Sequence, residues 1–167
     1  MRLQQRGPLP FEGAAQVVER RGCDRAPLDP VREEDRLTLL SYVWPDQLTR
    51  IRLLRAALEV APRVPAPVDE ASAPEWIRQR LSETVEGVAT VVFHSIFFQY
   101  LSKDEGREFV DAIQAASERA NASAPVAWLR MEPAGDQAEV RLATWPGGTE
   151  RLVATAGYHG AAVRWLA

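Results

Sequence analysis

Cysteine is nearly absent: Cys23 stands alone among 167 residues. An internal disulfide and a multi-cysteine zinc site are thereby excluded, and a reducing, cytoplasmic location is the expectation. Excess basic charge is missing as well, since 20 Lys and Arg face 23 Asp and Glu for a net charge of −3. Phosphate-backbone binding draws its affinity from surplus cations, so nucleic acid is not an expected partner. The apolar run around Phe93 is too short and too interrupted to cross a bilayer, and residues 1–8 carry charge without the apolar segment of a signal peptide. A soluble protein with no membrane partner is expected. With two histidines and no His-x-x-x-His spacing, no metal site is expected either.

What is present is a chain that is 46% hydrophobic, long enough to bury a core and typical in length of one domain. Residues 1–167 are therefore expected to form a single α/β domain, with loop and helices over 1–63 and the sheet over 64–167. Gln16–Glu19 reads as a short strand, and Arg20–Pro30, with two prolines and a glycine, as an irregular connection. Glu33–Trp44 opens on acids and stops at Pro45, the pattern of a helix. From about Asp46 a second helix follows, in which Ile51, Leu54, Leu58 and Ala61 form one apolar stripe. Pro62, Pro65 and Pro67 end it and bracket a short extended piece reaching Val68-Asp69-Glu70. A third helix is predicted from about Ala73 to Thr84, with Pro74 near its start and Ser72 available as a cap.

Val88–Ser95 is the strongest strand. Its β-branched residues and lack of alternation predict burial on both faces, as in a central parallel strand. A helix over Lys103–Ala120, with Phe109, Val110, Ile113 and Ala116 on one side, leads to a strand at Val126–Glu132. Strand, helix, strand is a βαβ unit, and parallel pairing follows. Beyond it, Glu139–Trp145 and Glu150–Thr155 flank Pro146-Gly147-Gly148 and read as an antiparallel hairpin. Gly157-Tyr158-His159-Gly160 then turns the chain into Ala162–Leu166.

The best candidates for chemistry are His94 and Ser95, because an open α/β sheet presents its ligands to residues at the carboxyl ends of its strands. His94 serves there as acid, base or hydrogen-bond donor, or else as a hydrogen-bonded histidine closing a helix start. A serine hydrolase needs Gly-x-Ser-x-Gly; Phe93-His94-Ser95-Ile96-Phe97 has neither glycine. Asp69 follows a short strand, as does the acid that holds a ribose in nucleotide-binding α/β proteins, though a helix-start acid explains it equally. Asp24 and Asp29, near Cys23, form either a polar cluster or two Asx turns. Arg130, Glu132 and Arg141 read as a cross-strand ion pair. Trp44, Trp128, Trp145 and Trp165 have the ordinary positions of core and core-edge residues.

Six segments in order carry a family resemblance: Arg21-Gly22-Cys23-Asp24 with Pro27 and Asp29, Val43-Trp44-Pro45-Asp46, Val92-Phe93-His94-Ser95, Trp128-Leu129-Arg130-Met131-Glu132, Trp145-Pro146-Gly147-Gly148 and His159-Gly160. Together they resemble a bacterial domain-of-unknown-function family with the Rossmann-like layout of S-adenosylmethionine-dependent methyltransferases. The resemblance implies a glycine-rich Glu-x-Gly-type cofactor loop near the front. This chain has no such segment, matches the later part of the pattern, and carries Val68-Asp69 where relatives have Gly-Asp. It further implies that Asp69 lies near the adenosine end of the cofactor and His94-Ser95 near the reacting methyl.

The expected architecture is a Rossmann-like α/β mixed sheet, with parallel strands near Val64, Val88 and Pro125, an antiparallel C-terminal hairpin and a helical N-terminal section. The expected function is a methyltransferase-like, small-molecule-binding domain, incomplete or degenerate; the alternatives are a structural or interaction module and, more weakly, a hydrolase using His94. Self-association is expected, because a sheet short of a strand leaves an open edge. Leu39, Leu40, Ile51 and Leu54 are expected in the core or at that interface.

Overall fold

The structure, a computed structural model, describes residues 15–160 and 162–166, so the reading of residues 1–8 lies outside it. The chain divides into two compact units between Ala73 and Pro74. The whole is a mixed α/β structure whose described residues form four α-helices, a five-stranded mixed sheet and a two-stranded parallel sheet.

In the first unit, strand β1 (Gly22–Asp24) pairs in parallel with β2 (Val68–Glu70), with Cys23 opposite Asp69. Two expectations change here. Gln16–Glu19 is not a strand; the strand lies a few residues on, within the segment predicted to be irregular. The parallel strand expected near Val64 starts at Val68, and its partner is β1 rather than a strand of the larger sheet. Its prolines are the reason: Pro62, Pro65 and Pro67 withhold the backbone donors that pairing requires.

Helices α1 (Glu33–Ser41) and α2 (Leu48–Val60) form the rest of this unit. Three acids occupy the first turn of α1, where they meet the positive end of the helix dipole. Arg36 ties the two helices together, donating from Nη1 to the Leu58 carbonyl at 3.2 Å and from Nη2 to Glu59 at 3.1 Å. Of the predicted stripe only Leu58 is fully buried; Ile51 and Leu54, like Leu39 and Leu40 of α1, are half-buried. Leu37, Tyr42, Trp44, Leu48 and Leu53 are exposed.

The second unit contains α3 from Pro74 onward (helix Ala73–Arg80), β3 (Thr90–Ser95), α4 (Lys103–Arg119), β4 (Val126–Ala134), β5 (Gln137–Trp145), β6 (Arg151–Ala156) and β7 (Arg164–Trp165). The strands run in that order across the sheet; β3–β4 is parallel and every later pair antiparallel. The predicted βαβ unit and the hairpin at Pro146-Gly147-Gly148 are both present.

α4 starts where its local chemistry says it should. The Ser102 side chain accepts from the Glu105 N–H, and Glu105 Oε2 accepts from the Ser102 N–H at 2.9 Å, a complete capping box. From there Phe109, Ile113 and Ala116 recur at helical spacing and are buried, Ile113 completely. Burial of a side chain such as Ile113 contributes about 2 kcal/mol. Phe109 lies beside His94, so α4 covers the sheet face that carries Val92, His94 and Trp128.

β3 departs from expectation. Among the described residues it has one neighbour, β4, and lies at the edge of the sheet. Val92 faces α4 and is buried, whereas Val91 is 54% and Phe93 76% exposed. The absence of alternation in Val91-Val92-Phe93 therefore reflects an apolar outer face and not burial on both sides.

Candidate functional site

His94 is the centre of a polar cluster on the inward face of the larger sheet. Its side chain is 8% exposed, and that of Glu132, its neighbour from β4, 18%. Nδ1 lies 2.8 Å from Glu132 Oε1, and Nε2 lies 3.0 Å from the indole Nε1 of Trp128. An indole nitrogen only donates. Nε2 must therefore accept from Trp128, and the imidazole proton must sit on Nδ1 and be donated to Glu132. This fixes one neutral tautomer. Burial, the largest influence, holds the His94 pKa below its usual value, with Arg130 acting in the same direction and the bond to Glu132 opposing both.

The chain after β3 closes the cluster. Ile96 adopts φ 50°, a left-handed conformation that a β-branched residue rarely takes. That bend carries the backbone N–H groups of Phe97 and Phe98 to Glu132 Oε1, at 3.0 and 3.4 Å. The rings of Phe97, Phe98, Phe109 and Trp128 stand 5.1 to 5.9 Å from the imidazole. Glu132 Oε2 and Arg130 Nε are buried without a hydrogen-bond partner among the described residues. The Arg130 guanidinium lies 4.8 Å over the Trp128 ring, a cation–π contact.

Sequence reasoning missed Glu132 and Trp128 as the partners of His94. Glu132 was expected in an ion pair with Arg130 and Arg141. Instead the two arginines face each other across β4 and β5 and share Glu150, at 2.8 and 3.2 Å, while Arg141 also binds Glu139 at 2.7 Å. The register explains the change: like charges directly opposite repel, and Glu150 in the hairpin turn bridges the two arginines while Glu139 supplies the second negative charge. The one usable signal was parity. Trp128, Arg130 and Glu132 alternate onto one face of β4, the face that His94 presents from β3.

Ser95 is exposed, and strand alternation sends its side chain to the opposite face from His94. The two cannot form a nucleophile–base pair within this strand. Asp69 belongs to the first unit, where Arg21 holds it in a two-pronged ion pair, Nε to Oδ2 and Nη2 to Oδ1, each 2.7 Å. Asp24 accepts from the Ala26 N–H and Asp29 from the Val31 N–H, each at 2.8 Å, so both are Asx turns. Burial and the neighbouring Asp24 and Asp69 raise the Cys23 pKa and favour its unreactive thiol form.

For S-adenosylmethionine the fit is poor. Both Asp69 oxygens that the resemblance turns toward an adenosine accept from Arg21, and both His94 nitrogens are engaged. No group of three metal-ligating side chains occurs among the described residues. A shallow depression of about 660 Å³ lies over the start of α4, lined by Phe98, Leu101, Lys103 and Val110, and contains none of the three candidate residues. No helix among the described residues is long and apolar enough to cross a membrane.

Fold and site thus define a mixed α/β protein whose second unit holds a part-buried His–Glu–Trp network. The chain belongs to the family described as an uncharacterized protein conserved in bacteria (DUF2332), which matches residues 1–165. Neither the curated proteins nor the solved structures contain a match to it.

Proposed function

We propose that this chain is a non-catalytic interaction module of the cytoplasm. The observation that carries the reading is the inversion of polarity along β3: the imidazole of His94 is buried with both nitrogens bonded, while the adjacent Phe93 is 76% exposed. The Nε2 lone pair of His94 is taken up by the Trp128 indole N–H, which is no nucleophile for a base to activate. Recognition of a protein surface needs exposed aromatic and aliphatic anchors, and Trp44 at 72% and Tyr42 at 68% exposure supply more of them in the first unit.

A second reading, a Rossmann-like, methyltransferase-type small-molecule-binding domain, has one observation in its favour. The adjacent parallel strands β1 and β2 end in Asp24 and Glu70, acids at the carboxyl ends where such folds bind ligands. Titration calorimetry with S-adenosylmethionine separates the two. The interaction reading expects no resolvable heat of binding; micromolar affinity that Asp69→Ala weakens would overturn it.

A further inference from the structure

We infer that His94 is a proton-operated latch on Trp128: a proton gained at Nε2 turns the acceptor of the indole N–H into a donor, and the tryptophan side chain is released. The latch is visible in the bonding. In the neutral ring Nδ1–H donates to Glu132 Oε1 at 2.8 Å, and the lone pair of Nε2 accepts from Trp128 Nε1 at 3.0 Å. An imidazolium carries hydrogens on both nitrogens, and the indole nitrogen has no acceptor capacity to offer in return. Two N–H groups then face each other at a separation that only a hydrogen bond sustains.

Trp128 is the partner that must yield. Protonation makes the bond from Nδ1 to Glu132 charge-assisted and stronger, and Glu132 is itself held by the N–H groups of Phe97 and Phe98 at 3.0 and 3.4 Å. Turning the imidazole over forfeits that bond. The indole, on a buried residue, loses its acceptor, and an unpaired buried donor is driven toward water. Arg130, 4.8 Å from the Trp128 ring, already places one cation beside the indole, and the imidazolium adds a second.

The surroundings set the pH at which the latch works. Burial opposes the imidazolium most, Glu132 favours it, and Arg130 opposes it again. From α4 and from the turn after β3 the imidazole meets Phe109, Phe97 and Phe98, which do not titrate. Beyond Arg130, β5 and the hairpin turn carry Arg141, Glu139 and Glu150, joined to Arg130 and to one another. The latch is therefore closed while His94 is neutral and opens as the pH falls through a value below the ordinary one of about 6.5. Its release is local. Phe98 loses a ring neighbour 6.3 Å away, while the turn at Ile96 stays tied to β4 through Glu132.

Solvent exchange of the Trp128 indole proton, measured by NMR on the full chain against free tryptophan at the same pH, tests this beside the nitrogen shifts of the His94 ring. Trp128→Phe identifies the resonance among the five tryptophans. Protection of the indole proton should fall about tenfold or more as His94 gains its proton, with far-UV circular dichroism unchanged. His94→Gln has no proton to gain in this range and should show no such fall. Glu132→Gln removes the charge that favours the imidazolium, so the His94 titration and the loss of protection should move to lower pH together. Protection that survives protonation of His94 overturns the inference, as does a fall that persists in His94→Gln or a pair of midpoints that separates in Glu132→Gln. Unfolding that precedes any change at Trp128 overturns it as well. None of these outcomes depends on the S-adenosylmethionine titration.

Discussion

Replacing Glu132 by alanine is expected to cost about 3 kcal/mol of stability through the hydrogen bonds it accepts. One carboxylate oxygen accepts from His94 Nδ1 at 2.8 Å and from the Phe97 N–H at 3.0 Å, with Phe98 N–H at a marginal 3.4 Å. Alanine leaves these donors without an acceptor. An unpaired buried donor costs about 1–3 kcal/mol, and water entering through the exposed fraction of the site relieves part of it. Two strong donors and one weak one then sum to about 3 kcal/mol. Glu132→Gln keeps an acceptor oxygen in place and loses only the charge assistance, so about 1 kcal/mol is expected. Urea unfolding followed by tryptophan fluorescence reads both values, because Trp128 adjoins the cluster; the midpoint should fall while the slope is unchanged. In the double variant with His94→Ala the two losses should be less than additive, since one shared bond is deleted twice. Glu132→Ala within about 0.5 kcal/mol of wild type, or glutamine as damaging as alanine, would refute the argument that this oxygen organises the turn after β3.

Acid should weaken the protein through His94. Its folded-state pKa lies below the unfolded value near 6.5, so the unfolded chain binds the proton first, and the stability present above about pH 6.5 is lost as the pH falls through the folded value. Urea midpoints at about pH 7.5 and 5.5 should differ more for wild type than for His94→Asn, and equal differences would contradict the neutral tautomer. Ile113→Ala, at a site with no solvent exposure, should cost about 3 kcal/mol in the same assay; a loss below about 1 kcal/mol would show that α4 does not close the core. Ser102→Ala should cost about 1 kcal/mol by removing the cap of α4, and amide exchange at Glu105 should quicken; unchanged exchange would contradict the capping box.

What the sequence determined by itself was local. α4 is legible because Phe109, Val110, Ile113 and Ala116 recur at helical spacing within one short segment, a pattern that acts over one or two turns of chain. The hairpin around Gly147 and Gly148 is legible for the same reason. The βαβ unit followed because a helix between two apolar strands leaves parallel pairing as the usual solution. Tertiary structure decided whatever joins distant residues. Glu132 reaches His94 across 38 positions and Arg21 reaches Asp69 across 48, and no local pattern records which acid finds which partner. The position of β3 was decided in the same way. Val91-Val92-Phe93 reads identically in a strand covered on both faces and in an edge strand with an apolar outer face, because composition registers hydrophobicity and not what covers it. The role of His94 turns on that distinction: its neighbours in sequence are Phe93 and Ser95, but its chemistry is set by a tryptophan and a glutamate that only strand register brings within hydrogen-bonding distance.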